Sequence, residues 1–251
     1  MDNNLASLTM RLEADGLNYK KASDFQGVMF ANISDEYGDF LHQQQLHPYS
    51  QYIFFENDTA YWRINTLNED AYDNVIVPLS NKAFNTFNIH NGNIEVTIRE
   101  KQIQHIKLQS LLDEFYDANI NKTINIEFRT LTAFKQRGRY NITPDLRLIY
   151  QSLMMKYSSI AGNDNMIDEE TLDELAYNSQ IISYNLFSSI FPMEGRNIPG
   201  FVGKISIRFY GTNTMASYAR MLFRYGEFSG IGIKTGMGMG AIRIIEKEKD
   251  K

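Results

Sequence analysis

One order of apolar patterns runs through this chain twice, and few folds can accommodate it. In the first pass, alternation in "LASLTMRLEA" predicts a strand, with Leu5, Leu8, Met10 and Leu12 prominent. Phe25, Val28, Met29, Ile33, Tyr37, Phe40 and Leu41 recur at helical spacing and predict one helix over about 22–45. "YSQYIFFEND" and "AYWRINTL" read as a hairpin turning at Asn57 and Asp58, a second helix runs from Asp70 to about Ser80, and "GNIEVTIREKQIQHIKL" reads as a long strand. The second pass repeats the order: the strand "TINIEFRTLTAF", the helix "PDLRLIYQSLMMKYSSI", the strands "QIISYNLFSSIF" and "FVGKISIRFYG", the helix "TMASYARMLFRYGE", and a last strand "GAIRII". Two β-α-β-β-α-β units imply an α+β chain of two tandem ferredoxin-like (RRM-like) domains. The expected division is 1–115 and 116–251, joined near Leu111 to Asn121.

With 251 residues and 43% hydrophobic content, such a chain can bury a core in each unit without staples. It has no cysteine, which excludes disulfides, thiolate metal sites and a cysteine nucleophile. No apolar run approaches the ~18 residues of a membrane span, and the N-terminus has no charged-then-apolar leader, so we expect a cytoplasmic protein with no membrane partner. The net charge of −5 argues against a nucleic-acid partner, but the signs are segregated. Gly195 to Lys247 holds eight basic residues against Glu227 and Glu246, while acidic side chains gather between Asp164 and Glu174. Segregated basic charge is what a polyanion would use; ordinary solvated faces would look the same.

The stretch "GEFSGIGIKTGMGMGAIRII" places Gly230, Gly232, Gly236, Gly238 and Gly240 around Lys234, just before the last strand. Each glycine costs roughly 0.5–1 kcal/mol relative to alanine in ordered structure, so the backbone either bends sharply here or admits something close. A Walker loop needs Gly-Lys-Ser/Thr opening a helix, and a dinucleotide fingerprint needs a strand before and a helix after; neither pattern is present. Freed amides could still form an anion nest, with Lys234 adding charge.

These residues carry a resemblance. "FSGIGIKTGMGMGAI" resembles the C-terminal glycine-rich signature of the RAMP superfamily, specifically of the CRISPR-associated endoribonucleases that cut precursor CRISPR RNA within its repeats. "FQGVMFANI" is similar to the start of that family's first helix, "FLHQQQLHPY" to the segment with its active-site histidine, and "TAFKQRGRYNITPDLRLIYQSLMMKY" to the start of its second domain. The similarity spans Phe25 to Ile245.

The resemblance implies metal-independent cleavage by attack of an RNA 2′-hydroxyl on the adjacent phosphate, leaving a 2′,3′-cyclic phosphate and a 5′-hydroxyl, with no cofactor and no metal. His42 matches the family's catalytic histidine, a residue suited to proton transfer near neutral pH. Where the family has a tyrosine in the helix this chain has Phe30, and "HPYSQY" lacks the family's lysine, so either His47, Tyr49 or a lysine elsewhere supplies the missing roles, or His42 acts with only electrostatic help. His90 and His105 have no supporting motif. For RNA binding the expected residues are Lys135, Arg137 and Arg139 in the turn "FKQRGRY", with Phe134 and Tyr140 stacking on bases, then Arg196, Lys204 and Arg208, and the glycine stretch with Lys234. The expected partner is CRISPR repeat RNA, with a type III CRISPR interference complex and a second copy of the chain as further candidates. The competing reading is a non-catalytic RAMP subunit that only binds RNA.

Overall fold

The computed structural model describes residues 4–89, 93–115, 121–160, 167–193 and 195–246. In the first half β1 (Asn4–Glu13) leads through α1 (Ala22–Phe30) and α2 (Asp35–Gln43) to the hairpin β2 (Tyr49–Glu56) and β3 (Thr59–Thr66). A helical run follows, made of α3 (Glu69–Ala71), a π-helical turn (Tyr72–Ile76) and α4 (Val77–Ser80); then come β4 (Thr86–Ile89), β5 (Ile94–Lys107) and α5 (Leu108–Phe115). The sheet order is β2-β3-β1-β5-β4. The second half runs β6 (Thr123–Thr132), a small hairpin β7 (Phe134–Gln136) and β8 (Arg139–Asn141), α6 (Leu146–Ile160), α7 (Glu169–Tyr177), β9 (Ser179–Met193), β10 (Arg196–Phe209), α8 (Asn213–Ser229) and β11 (Ile242–Ile244). Its sheet order is β11-β6-β10-β9. Each sheet puts its first and third strands in the centre and its second and fourth outside them, the antiparallel arrangement of a ferredoxin-like unit; β4 extends the first sheet.

The helix expected over about 22–45 is two helices. The chain leaves helical hydrogen bonding after Phe30, and Ser34 restarts it by accepting from the Tyr37 amide (3.2 Å). The break turns α2 so that Tyr37 and Leu41 are buried and His42 is exposed in the last turn. The hairpin turn is where the sequence places it, with Asn57 and Asp58 at φ 47° and 61°, a left-handed pair suited to a two-residue loop. Strand β4 and helix α7 have no counterpart in the sequence reading.

Each half buries a core between its sheet and its helices, and the cores interlock. Trp62 and Phe25 meet edge-to-face at 5.0 Å in the first half, yet the same cluster takes in Leu131, Ala133, Phe191, Ile198 and Met239 from the second. Leu5 and Leu67 pack in the other direction. Arg129 of β6 pairs with Glu56 of β2 at 2.8 Å, an ion pair between the two halves. Among the described residues no helix is long and apolar enough to cross a membrane.

Candidate active site

The glycine-rich stretch leaves α8 at Gly230 and folds back on itself: the Ile231 amide donates to the Gly240 carbonyl (2.8 Å), and the Ile233 amide to the Ala133 carbonyl (3.0 Å). The protein's own packing gives glycine a reason to be here. At Gly232 (φ 79°) a Cβ would fall on the Ala133 carbonyl oxygen, and at Gly238 (φ 103°) it would fall on the methyl of Ala22 in α1. Gly236 lies flat over Tyr49, and a Cβ there would sit 3.0 Å from the tyrosine hydroxyl. The loop is therefore pressed onto both halves.

Lys234 breaks the pattern. It adopts the left-handed conformation (φ 59°, ψ 33°), where glycine is the unstrained choice and other residues pay roughly 1–2 kcal/mol. Its side chain is exposed, and its carbonyl accepts from the Met237 and Met239 amides. A strained lysine among glycines points to use of its side chain.

Across from the loop lie the two histidines. The exposed His42 ring stacks on Phe30 with centroids 4.9 Å apart and planes at 27°, so the aromatic position at the end of α1 is a platform. His47, in the loop before β2, is half-buried, its ring 5.3 Å from that of Tyr49. Burial holds its pKa below the ordinary histidine value, and the charges of His42 and then Lys234 push it the same way. The Leu41 backbone opposes them, and Nδ1 of His47 is buried with no partner. His47 is thus within electrostatic reach of His42 on α2 and of Lys234 in the glycine-rich loop. Tyr49 is a different matter: its hydroxyl accepts from Gln26 Nε2 (2.7 Å), and burial pushes its pKa up to about 12. Capped by Gly236, it supports the site from beneath and presents no free hydroxyl to a substrate.

Lys135, Arg137 and Arg139 are exposed around the β7–β8 turn, with Arg137 and Gly138 left-handed (φ 49° and 78°). This hairpin starts beside the glycine-rich loop through the Ile233–Ala133 bond. Phe134 is buried near Phe201, 6.4 Å between centroids, and Tyr140 packs on the first-half core, so the expected base stacking by Phe134 is not available. Arg196, exposed at the β9–β10 turn, lines a groove of about 1,010 Å³ with Gln26, Asn32, Asn88 and Met237. Lys204 and Arg208 lie exposed along β10; Lys204 pairs with Glu127 (3.7 Å), which also holds Arg243, and Arg208 lies over the Tyr210 ring. Neither is brought to the histidines by any contact. His105 sits against the Tyr72 ring at 4.8 Å, and His90 lies outside the described residues. Among the described residues no group of three or more His, Asp or Glu side chains is arranged to hold a metal ion.

Two residues had escaped the sequence reading. Gln51 is buried on β2 and donates to the Ala22 carbonyl (2.9 Å) and the Gly236 carbonyl (3.2 Å), while accepting from the Trp62 indole (2.9 Å). Nothing in its local sequence marks it. Lys156 is buried in α6 and donates to the carbonyls of Ser229 (3.1 Å) and Gly230 (3.0 Å) and to the Thr235 hydroxyl (3.3 Å). Burial draws its pKa down to about 7, while acceptors at the C-terminal end of α8 favour the ammonium. A signal did exist here, because position 156 falls on the apolar stripe of Ile149 and Leu153.

The family model for CRISPR-associated endoribonuclease Cas6 matches residues 126–242. A CRISPR-associated endoribonuclease Cas6 of Streptococcus thermophilus is 34% identical over 227 residues, covering 90% of this chain and 92% of the relative. One of Mycobacterium tuberculosis is 33% identical over 250 residues, covering 97% and 79%. Among solved structures, a Cas6 product complex superposes with a TM-score of 0.78 at 20% identity, over 97% of this chain and 100% of the other. An RAMP protein binding different RNA substrates gives 0.62 at 14% identity, over 96% and 100%. The fold is shared with these structures, two tandem ferredoxin-like units. The chain belongs to the Cas6 family of CRISPR-associated endoribonucleases, and its activity is RNA cleavage in CRISPR RNA maturation.

Proposed function

We propose that the chain cuts precursor CRISPR RNA within its repeats without metal, using the RNA's own 2′-hydroxyl. The carrying observation is that Gly236, two residues after Lys234, packs on Tyr49, whose ring stands 5.3 Å from that of His47, five residues after His42. His47, with its lowered pKa, takes the proton from the 2′-hydroxyl as that oxygen attacks phosphorus. The P–O5′ bond breaks, and His42 gives a proton to the departing 5′-oxygen. A 2′,3′-cyclic phosphate and a 5′-hydroxyl result, while Lys234 stabilises the charge that builds on the non-bridging oxygens. RNA reaches this point along the basic hairpin of Lys135, Arg137 and Arg139 and past Arg196; Lys204 and Arg208 would meet a more distant part of the substrate.

In this reading residues 1–115 form the domain that brings the histidines and 116–251 the domain that brings the loop. The protein works in the cytoplasm, serves a type III CRISPR interference complex and pairs with a second copy. Support for pairing comes from β9, an uncharged edge strand with Tyr184, Phe187 and Ile190 exposed. Sedimentation of the purified chain and co-purification with the complex test these two associations. The decisive experiment on the reaction is single-turnover cleavage of repeat RNA in excess EDTA. Persistent cleavage with a cyclic-phosphate product is expected, and its loss when the 2′-hydroxyl at the cut is replaced by hydrogen. Activity that vanishes with chelator and returns with magnesium or manganese would overturn the mechanism.

A further inference from the structure

Lys156 is a buried cation that the proposed reaction does not use. A lysine in an apolar stripe is costly to desolvate, and its neighbours on α6, Leu153 and Met154, belong to the hydrophobic core. Its three acceptors are not scattered. Two are the carbonyls of Ser229 and Gly230, where α8 ends, and the third is the hydroxyl of Thr235, across the loop. Three donors on an ammonium meet three acceptors, so one side chain ties the point where the loop leaves α8 to the residue directly after Lys234. Adjacent bonds complete the geometry: the Gly232 amide donates to Ser152 Oγ of the same helix (2.8 Å), and the Gly240 amide to the Leu131 carbonyl (2.9 Å). The loop's ends are thus fixed by α6 and β6, and Lys156 fixes its middle. The Met237 and Met239 amides hold the carbonyl of Lys234, and the bond from Lys156 is the side-chain tie on Thr235, the residue next to that left-handed lysine.

We infer that Lys156 is a positioning residue for RNA cleavage, holding Thr235 so that Lys234 is set in place against His42 and His47. This rests on the role given to Lys234 above. It assigns Lys156 an effect that passes through Lys234 alone, and that separates it from a residue that merely stabilises the fold.

The experiment is a double-mutant cycle on the full chain with repeat RNA, measuring single-turnover rate and RNA affinity for wild type, K156M, K234A and K156M/K234A. K234A should lose about 10²–10³ in rate, the usual effect of removing one preorganised charge-stabilising donor. K156M should lose about tenfold or more in rate with little change in affinity. The double variant should be no more than about twofold slower than K234A, since two residues acting through one another are not additive. Hydrogen exchange should quicken over 231–239 in K156M and stay unchanged in the middle of α8. Where K156M does not fold, T235V removes only the loop-side acceptor and should give the same non-additivity with a smaller loss. Losses that multiply in the double variant, or K156M and T235V cutting at the wild-type rate, would overturn the inference while leaving Lys234 in the reaction. A K234A variant that cuts normally would remove Lys234, and this inference with it.

Discussion

The side-chain amide of Gln51 on β2 reaches the carbonyl oxygen of Gly236 at 3.2 Å, joining the histidine-bearing half to the loop of the other half through a buried group. The same side chain is held by Ala22 and Trp62. Gln51→Ala removes a hydrogen bond from three groups and leaves the buried Trp62 indole N–H without its acceptor, at about 1–3 kcal/mol for an unsatisfied buried group, so it should lower unfolding stability and slow cleavage together. Urea denaturation beside single-turnover kinetics checks this. A stable, fully active Gln51→Ala would show that Gly236 finds its place unaided.

His42→Ala should reduce the single-turnover rate by about 10²–10⁴-fold with little change in RNA affinity, as for the loss of a positioned acid or base. His47→Ala should match it. A slow His42 variant beside a near-normal His47 variant would dissolve the proposed pair and leave His42 acting with Lys234.

The lowered pKa of His47 also makes stability depend on pH. An unfolded chain takes up this proton as pH falls through about 6.5, and the folded protein does so only lower. The stabilising contribution is therefore complete above about pH 6.5, is lost as pH drops toward the folded pKa, and is flat below it. His47→Gln should flatten the fall in stability that sets in below about pH 6.5. Thermal unfolding across that range measures it, and identical slopes for variant and wild type would count against a depressed pKa.

Gly238→Ala forces a methyl onto Ala22 and strains a left-handed backbone, at a cost of about 1–3 kcal/mol. Ala22→Gly in the same chain should restore part of that stability, leaving only the backbone strain. If the double variant is no more stable than Gly238→Ala, steric overlap is not why glycine is needed there.

Neutralising Lys135, Arg137 and Arg139 together should flatten the dependence of log affinity on log salt by up to about 0.7 for each RNA phosphate that the hairpin would otherwise neutralise. Titration of repeat RNA at several salt concentrations reads this slope. An unchanged slope takes the hairpin out of the RNA path.

Much of this architecture was legible because apolar alternation and helical spacing report burial directly: Leu8, Met10 and Leu12 on β1, and Ile149 and Leu153 on α6, all point into cores. The break between α1 and α2 was not, since the apolar spacing runs straight across it and only the Ser34 cap marks it. The acidic helix α7 escaped for the opposite reason, its two buried leucines being diluted by charge. At the site, His42, His47 and Lys234 were named from motifs, yet no local pattern says that Lys234 stands by His47. The link comes from a fold that sets Gly236 on Tyr49, residues far apart in the sequence. Tyr49 looked like chemistry because phenols do chemistry; burial beneath Gly236 made it a floor.

The interlocked cores have a consequence for how such chains can diverge. Leu131, Ala133, Phe191, Ile198 and Met239 fill space against the first half's own apolar residues. A crossover between two relatives at the junction would set one parent's side chains into a socket shaped by the other's, and would mate one parent's histidines with the other's lysine. Both mismatches would fall on the same seam, so a hybrid would lose stability and activity together.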